Sequence, residues 1–483
     1  MNDITFQKRE DFEIDTPDKI HFFQIDFLKA VMILLVIFDH FVSWNIKDEI
    51  GVALWERISI PVFLVILGFN MGHSFKSQGN LTLKELYSWS YFKKKILRYI
   101  LPFLILYAAS TFIGLFMYGF DFESMYYNQY YPDHGLINLF YLIMPFWGPG
   151  NWFIPVLFQS ILVVPLLYWG FTKKPVITLI LTFIIEMLMQ FIVFLLFGQG
   201  FTSWEQVHVY LFFACSILFY LSAVGLGMWF SFGHGLTEKR NRFIWVLFPL
   251  SWIYLVAYQF FDFRFRIDGM PLIRGDYSFL VFPYSAFLVL LALEILPNYS
   301  QNKISKRISL IGKATYHILL IQILGYAMIT AWWGTHYGMD LPFDPFDLID
   351  LGVLWVINVW FGILWYKIEK LRDTARKMLY YINFFIIYPS LFLLSFWAQG
   401  YWIPIPLFII IAYAIAALIF HYTFKRPLHT DILAVWTGFL AINFASMILQ
   451  ITLFSINESW IFLIPIGICL VYAIYYTFKN KNL

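Results

Sequence analysis

Cysteine is nearly absent from the 483 residues: only Cys215 and Cys469 occur, both inside apolar runs, so no disulfide framework is expected. Charge is also scarce. Asp, Glu, Lys and Arg make up 13% of the chain, against about a quarter in a typical soluble domain. No polar stretch is long enough to fold as a soluble catalytic domain. Basic blocks that would bind nucleic acid are missing, as are the alternating ten-residue strands of a membrane barrel. No internal repeat is apparent, which weighs against a carrier built from inverted halves.

What fills the chain instead is apolar surface: 60% hydrophobic residues, 22% aromatic ones and a mean hydropathy of +0.70. Runs of about twenty apolar residues recur, each long enough to cross about 30 Å of hydrocarbon. They predict an all-α, polytopic transmembrane helical bundle of about fourteen spans. The first ten lie at 26–46, 56–75, 94–118, 151–171, 175–197, 208–232, 242–261, 277–296, 309–332 and 348–369. Four more follow at 380–397, 402–421, 432–453 and 459–478. Residues 1–25 read as a cytoplasmic tail with no cleavable signal, 26–375 as a ten-helix core, and 376–483 as a four-helix extension suited to packing or partner docking.

Positive charge tests this layout, because cytoplasmic loops should hold the Lys and Arg residues. With a cytoplasmic N-terminus, the outer loops contain only Lys47, Arg57, Arg264, Arg266 and Arg274 of the 33 basic residues. Both termini are then cytoplasmic, in a multi-pass cell-membrane protein. The 262–276 loop, with three arginines, reads either as solvated or as an acceptor-binding surface. The aromatic, acidic stretch 118–150 contains an apolar piece, 136–147, too short to span.

Polar groups in a bilayer core are costly, so each is a functional candidate by default. The first span reads QIDFLKAVMILLVIFDHFVSW, with Asp26, Lys29, Asp39 and His40. Lys29 and His40 are eleven residues apart, close to three whole turns, and so share one stripe about 16 Å long. A cation at the inner edge and an imidazole deeper in the same groove suit a long donor with an anionic head. Alternatively, Lys29 pairs with Asp26 at i−3 and His40 is a packing histidine. Asp39 points about 100° away from His40 and reads as part of the outer interface. In the third span Lys94, Lys95 and Arg98 share a face, and Pro102 should loosen the helix beside them. These cations either hold phosphates or anchor the helix to anionic lipid. Glu186 lies mid-span with Gln190 one turn on, and is either the partner of a buried group or a proton carrier. Glu294 and Glu369, near span ends, read as solvated.

Asp26, Leu28, Lys29, Ala30 and the ten-residue gap from Lys29 to His40 resemble the first helix of acyltransferase family 3, the integral-membrane enzymes that O-acylate glycans. Further segments are similar to that family's motifs in the same order: ISIPVFLVILGFN at 58–70, Lys95 to Arg98 before a proline, NWFIPVLF at 151–158, GKATYHILLIQ at 312–322 and YKIEKL at 366–371. Three positions depart from the pattern: Leu67 stands for a serine, Lys95 for an arginine and Gln322 for a common histidine.

The resemblance implies an O-acyltransferase that uses cytoplasmic acyl-CoA, acetyl-CoA in the first instance, with a cell-surface or lipid-linked glycan as acceptor and no metal. Lys29, Lys95 and Arg98 would bind the donor phosphates. His40 would be the catalytic base, with Glu186 a second catalytic candidate, and Asn151, Trp152 or Tyr316 would contact substrate and stabilise an oxyanion. Partners would be the lipid bilayer, the glycan acceptor and, through the last four helices, a second copy or a glycan-assembly protein. The competing function is a flippase for lipid-linked saccharides, which the high helix count suits and the clustering of basic residues at helix ends does not.

Overall fold

The computed structural model describes residues 22–42, 47, 49–79, 81–117, 150–197, 215–267, 270–272, 275–299, 302–333, 345–372, 374–382 and 384–385. The piece at 136–147 and the spans at 402–421, 432–453 and 459–478 lie outside these residues, as does most of the span at 380–397. The described part is helical apart from a two-stranded hairpin. In order, the long helices are α1 (Phe23–Phe41), α2 (Ser59–Lys76), α3 (Trp89–Lys95), α4 (Leu101–Met117), α5 (Phe153–Lys173), α6 (Pro175–Phe197), α7 (Leu221–Ser231), α8 (Ile244–Phe261), α9 (Phe282–Ile295), α10 (Lys303–Trp333), α11 (Pro345–Glu369) and α12 (Thr374–Ile382). Each of the ten expected core spans coincides with a helix to within a few residues, except the sixth, described only from Cys215. Among the described residues, six segments are long and apolar enough to cross a membrane: Val52–Lys76, Leu83–Phe112, Phe153–Lys173, Pro175–Leu196, Lys239–Phe261 and Lys303–Gly325. Helix α1 has a similar length and is as apolar on average, but it carries three charged residues, Asp26, Lys29 and Asp39.

The bundle is organised around α7, every residue of which is buried. Lipid tails are as apolar as leucine, so helices in a bilayer associate through close packing of small residues. That rule is visible where α2 crosses α7. A methyl group on Gly68 would overlap the Val224 carbonyl, and one on Gly227 would overlap the Val65 carbonyl. Outer helices behave in the opposite way. On α6, Ile177, Ile180, Ile184, Met187, Leu188, Phe191 and Leu195 are exposed, forming a belt for lipid, while Thr182, Glu186 and Gln190 recur every four residues on the buried face.

Two contacts set the register of α1 on α10. At one end Asp26 accepts a 2.6 Å hydrogen bond from Ser309, and Gly312 sits so tightly against the Asp26 backbone that a side chain there would collide with it. At the other end His40 meets Gln322. The two helices therefore run parallel. Trp355 of α11 adds a 2.9 Å bond to the Leu34 carbonyl from the same side.

The loosening expected beside Pro102 takes a definite form. Proline has no N–H and crowds the carbonyl four residues back, here Arg98. The chain responds with a wide π turn over Ile96–Ile100, in which the Leu101 N–H reaches back to Ile96. The arginine-bearing 262–276 segment, as far as it is described, is a small hairpin pairing Arg266–Ile267 with Met270–Pro271. Arg264 pairs there with Asp262 at 3.0 Å, both half exposed or more, as the solvated reading expects.

Gly227→Ala forces backbones apart at the α2–α7 crossing and should cost about 1–3 kcal/mol, read as a lower Tm and yield of monodisperse detergent-solubilised protein. An unchanged Tm would contradict the close approach.

Candidate active site

At the N-terminal end of α1, Lys29 pairs with Asp26 at 2.9 Å, the i−3 pairing that the sequence offers as one reading. Asp26 also holds Ser309, which leaves Lys29 neutralised but still partly exposed. On the neighbouring turn Tyr99 stands within electrostatic range of Lys29, Lys95 and Arg98 together. Lys95 lies 5.7 Å from the ring centres of both Tyr91 and Tyr99, and its ammonium meets the Met71 sulfur at 2.6 Å. The Arg98 guanidinium is 5.4 Å from the Tyr99 ring and exposed. The three cations expected to hold phosphates thus gather around one aromatic ring. The π turn is what presents Arg98 and Tyr99 in this way.

Tyr316 belongs to this end. Its hydroxyl donates to the Tyr99 carbonyl at 2.7 Å and its ring meets Tyr99 edge to face. Gln322, the partner of His40, lies six residues further along α10, about 9 Å along the axis. The structure therefore groups Tyr316 with Lys95 and Arg98 and not with His40.

His40 occupies the other end of the stripe. Its Nδ1 is 2.5 Å from the Gln322 amide, and the chain at Gly150 passes close against the imidazole. Gly150 has φ +94°, a left-handed conformation that favours glycine, and even a bare Cβ there would stand 3.4 Å from His40 Cε1. Asn151 follows, buried at the start of α5. Trp152 stacks on Tyr277 at 6.0 Å and leans on Tyr220 at 5.6 Å. Asn151 and Trp152 directly follow Gly150 and so lie toward the His40 end.

Asp39 is not part of a solvated interface. It is buried, with one oxygen ion-paired to Lys47 at 3.0 Å and the other 3.7 Å from Arg57 and 3.9 Å from His40 Nε2. Glu56, fully buried, lies 3.7 Å from Arg57 and accepts from Ser59 at 3.3 Å. Arg57 also donates to the Tyr277 hydroxyl at 3.3 Å. Burial pushes the Lys47 ammonium below its ordinary value, and the Asp39 carboxylate opposes that shift. Two residues counted as outer-loop charges thus form, with Asp39 and Glu56, a buried neutral cluster beside the imidazole. The sequence signal was the adjacency of Glu56 and Arg57 to an apolar run.

Glu186 accepts from the Ser222 hydroxyl at 2.5 Å and its N–H at 3.2 Å, so it anchors α6 to α7. Glu294 is exposed as expected. Glu369 is not simply solvated: it pairs with His317, a buried histidine flanked by Trp365 and Tyr366. His317 sits inside an apolar run, and that polar residue was the available sign. Among the described residues no group of His, Cys, Asp or Glu could hold a metal ion.

The acyltransferase domain model of acyltransferase family 3 matches residues 22–349. The chain belongs to acyltransferase family 3. As a member of that family with a bundle of apolar helices it is a membrane acyltransferase. No curated protein and no solved structure matches it. The matched region contains both ends of the α1 stripe, the π turn, Gly150 and Gln322.

Removing Asp39 takes away the buried carboxylate that Lys47 and Arg57 share. Asp39→Leu should destabilise the enzyme by about 3–5 kcal/mol, and Lys47→Met in the same chain should restore part of that in thermal unfolding. Equal stability of Asp39→Leu and wild type would contradict the buried pair.

Proposed function

We propose that the enzyme moves an acyl group, acetyl in the first instance, from cytoplasmic acyl-CoA to a hydroxyl of a cell-surface or lipid-linked glycan. The observation that carries this reading is the separation of the two groups along one helix. Cations collect around Tyr99 at one end and the imidazole stands beside Gly150 and Asn151 at the other. Acyl-CoA is a long molecule with a polyanionic head and a reactive thioester at its tip, and that division of charge suits it. Lys29, Lys95 and Arg98 hold the phosphates, Arg as a fork and the lysines as point charges. Tyr316 fixes the π turn that carries Arg98.

At the other end His40 acts as general base. It accepts the proton of the acceptor hydroxyl as that oxygen attacks the thioester carbonyl, forming the new C–O bond. Collapse of the tetrahedral intermediate breaks the C–S bond, and the thiolate leaves as thiol with the proton from the imidazolium. The buried Asn151 amide, next in sequence to the Gly150 that passes against the ring, is the oxyanion donor. The adjacent Trp152–Tyr277 stack, tied to Arg57, shapes the acceptor side. Glu186 ties α6 to α7.

Purified enzyme given labelled acetyl-CoA and a glycan acceptor should transfer label, and His40→Ala should abolish transfer while the protein still inserts. Lys95→Ala and Arg98→Ala should each raise KM for the donor about tenfold, the equivalent of about 1.4 kcal/mol, with kcat less affected. Translocation of a lipid-linked saccharide without thioester consumption would replace this reading with that of a flippase.

A further inference from the structure

Helix α6 turns Thr182, Glu186 and Gln190 inward, and Glu186 is the acidic member of the three. It is fully buried, inside an apolar segment long enough to cross the membrane, and a carboxylate in such a place needs donors to compensate it. Those donors are at the start of α7. The first N–H groups of a helix have no partner within it, hydrocarbon holds no water to supply one, and Tyr220, the residue capping α7, contributes no side-chain bond. Glu186 takes that role from a different helix: one of its oxygens accepts from the Ser222 hydroxyl at 2.5 Å and from the Ser222 N–H at 3.2 Å. The backbone N–H of Phe279, in the turn that leads into α9, is directed at the same carboxylate. The height of Glu186 on α7 is fixed one turn earlier, where Thr182 lies so close to Gly225 that a side chain there would collide with it.

Both tethered segments carry a tyrosine two residues upstream. Tyr220 precedes Ser222 and Tyr277 precedes Phe279, and these two rings meet the Trp152 indole, with centroids at 5.6 and 6.0 Å and planes 35° and 28° from parallel. Tyr220 and Tyr277 are buried and come from distant parts of the chain, so tertiary contacts must set their spacing around the indole. We infer that Glu186 is the positioning residue for the Trp152 surface: by holding the starts of two segments with one carboxylate, it fixes Tyr220 and Tyr277 against the indole. Its consequence for acyl transfer rests on the reading of Trp152 and Tyr277 as the acceptor side given above. In that setting Glu186 touches no reacting atom and moves no proton. It acts on glycan binding through Trp152, the half-buried member of the three rings.

The test is fluorine NMR of full-length protein in nanodiscs with fluorine-labelled tryptophan, the Trp152 resonance being assigned by its loss in Trp152→Phe. Stacked rings shift that resonance, so it reports where the two tyrosines lie. Glu186→Leu should move it and raise KM for the glycan acceptor about tenfold, with KM for acetyl-CoA unchanged. Glu186→Gln, which leaves one accepting oxygen for three donors, should move it in the same direction by a smaller amount. An unmoved Trp152 resonance in both variants would overturn the inference, and a loss of kcat beside it would identify Glu186 as a proton carrier instead. If Glu186→Leu does not fold, Glu186→Gln decides alone. A moved resonance with unchanged acceptor KM would uphold the positioning and count against the acceptor-side reading, so the two failures are distinguishable.

Discussion

The arrangement depends on one helix pairing, the parallel packing of α1 against α10. Because α1 carries a cation and an imidazole eleven residues apart, it can serve a two-ended site only if its register and rotation are held along its whole length. Ser309 and Gly312 hold the N-terminal end through Asp26, and Gln322 meets the C-terminal end at His40. A one-residue slip of α10 would turn Gln322 about 100° away from the ring and put a side chain against Asp26 in place of Gly312. The absence of a side chain at Gly312 is thus coupled to the environment of His40, about 15 Å distant along the axis.

A second constraint is electrostatic. Four ionisable side chains cluster next to His40, two acidic and two basic, with Asp39, Lys47 and Glu56 buried and Arg57 half-buried, and burying charge is favourable only when partners and hydrogen bonds compensate it. Asp39 pairs with Lys47 and Arg57, Glu56 with Arg57 and Ser59, and Arg57 also reaches Tyr277. Neutralisation inside the cluster lets a titratable ring sit among charges without one sign dominating it. Through Tyr277 the cluster extends to Trp152, so the same network that surrounds the imidazole also shapes the surface where an acceptor would lie.

Much of this is legible in the sequence. Apolar runs predict the helices because hydrocarbon leaves no other way to satisfy a backbone. The eleven-residue spacing places Lys29 and His40 on one stripe, and Pro102 marks where the next helix must open. Other features depend on tertiary partners that spacing cannot reveal. Asp39 points away from His40 on an ideal helix, yet Lys47 and Arg57 draw its carboxylate into the protein and bring one oxygen within 3.9 Å of the ring. Tyr316 has the chemistry of an oxyanion donor, but a carbonyl on the π turn takes its hydroxyl. Glu369 looks solvated at a helix end until His317, from a different helix, is beside it. The contact between Gln322 and His40 is invisible in the sequence, since it arises only where α10 lies parallel to α1.

Sidedness of the reaction is the most direct test of the two-ended site. In sealed proteoliposomes of known orientation, donor would be offered on the Lys95–Arg98 side and acceptor confined to the His40 side. The account predicts His40-dependent transfer of label across the bilayer, and none when the two substrates exchange sides. Transfer that requires donor and acceptor on the same side would contradict it.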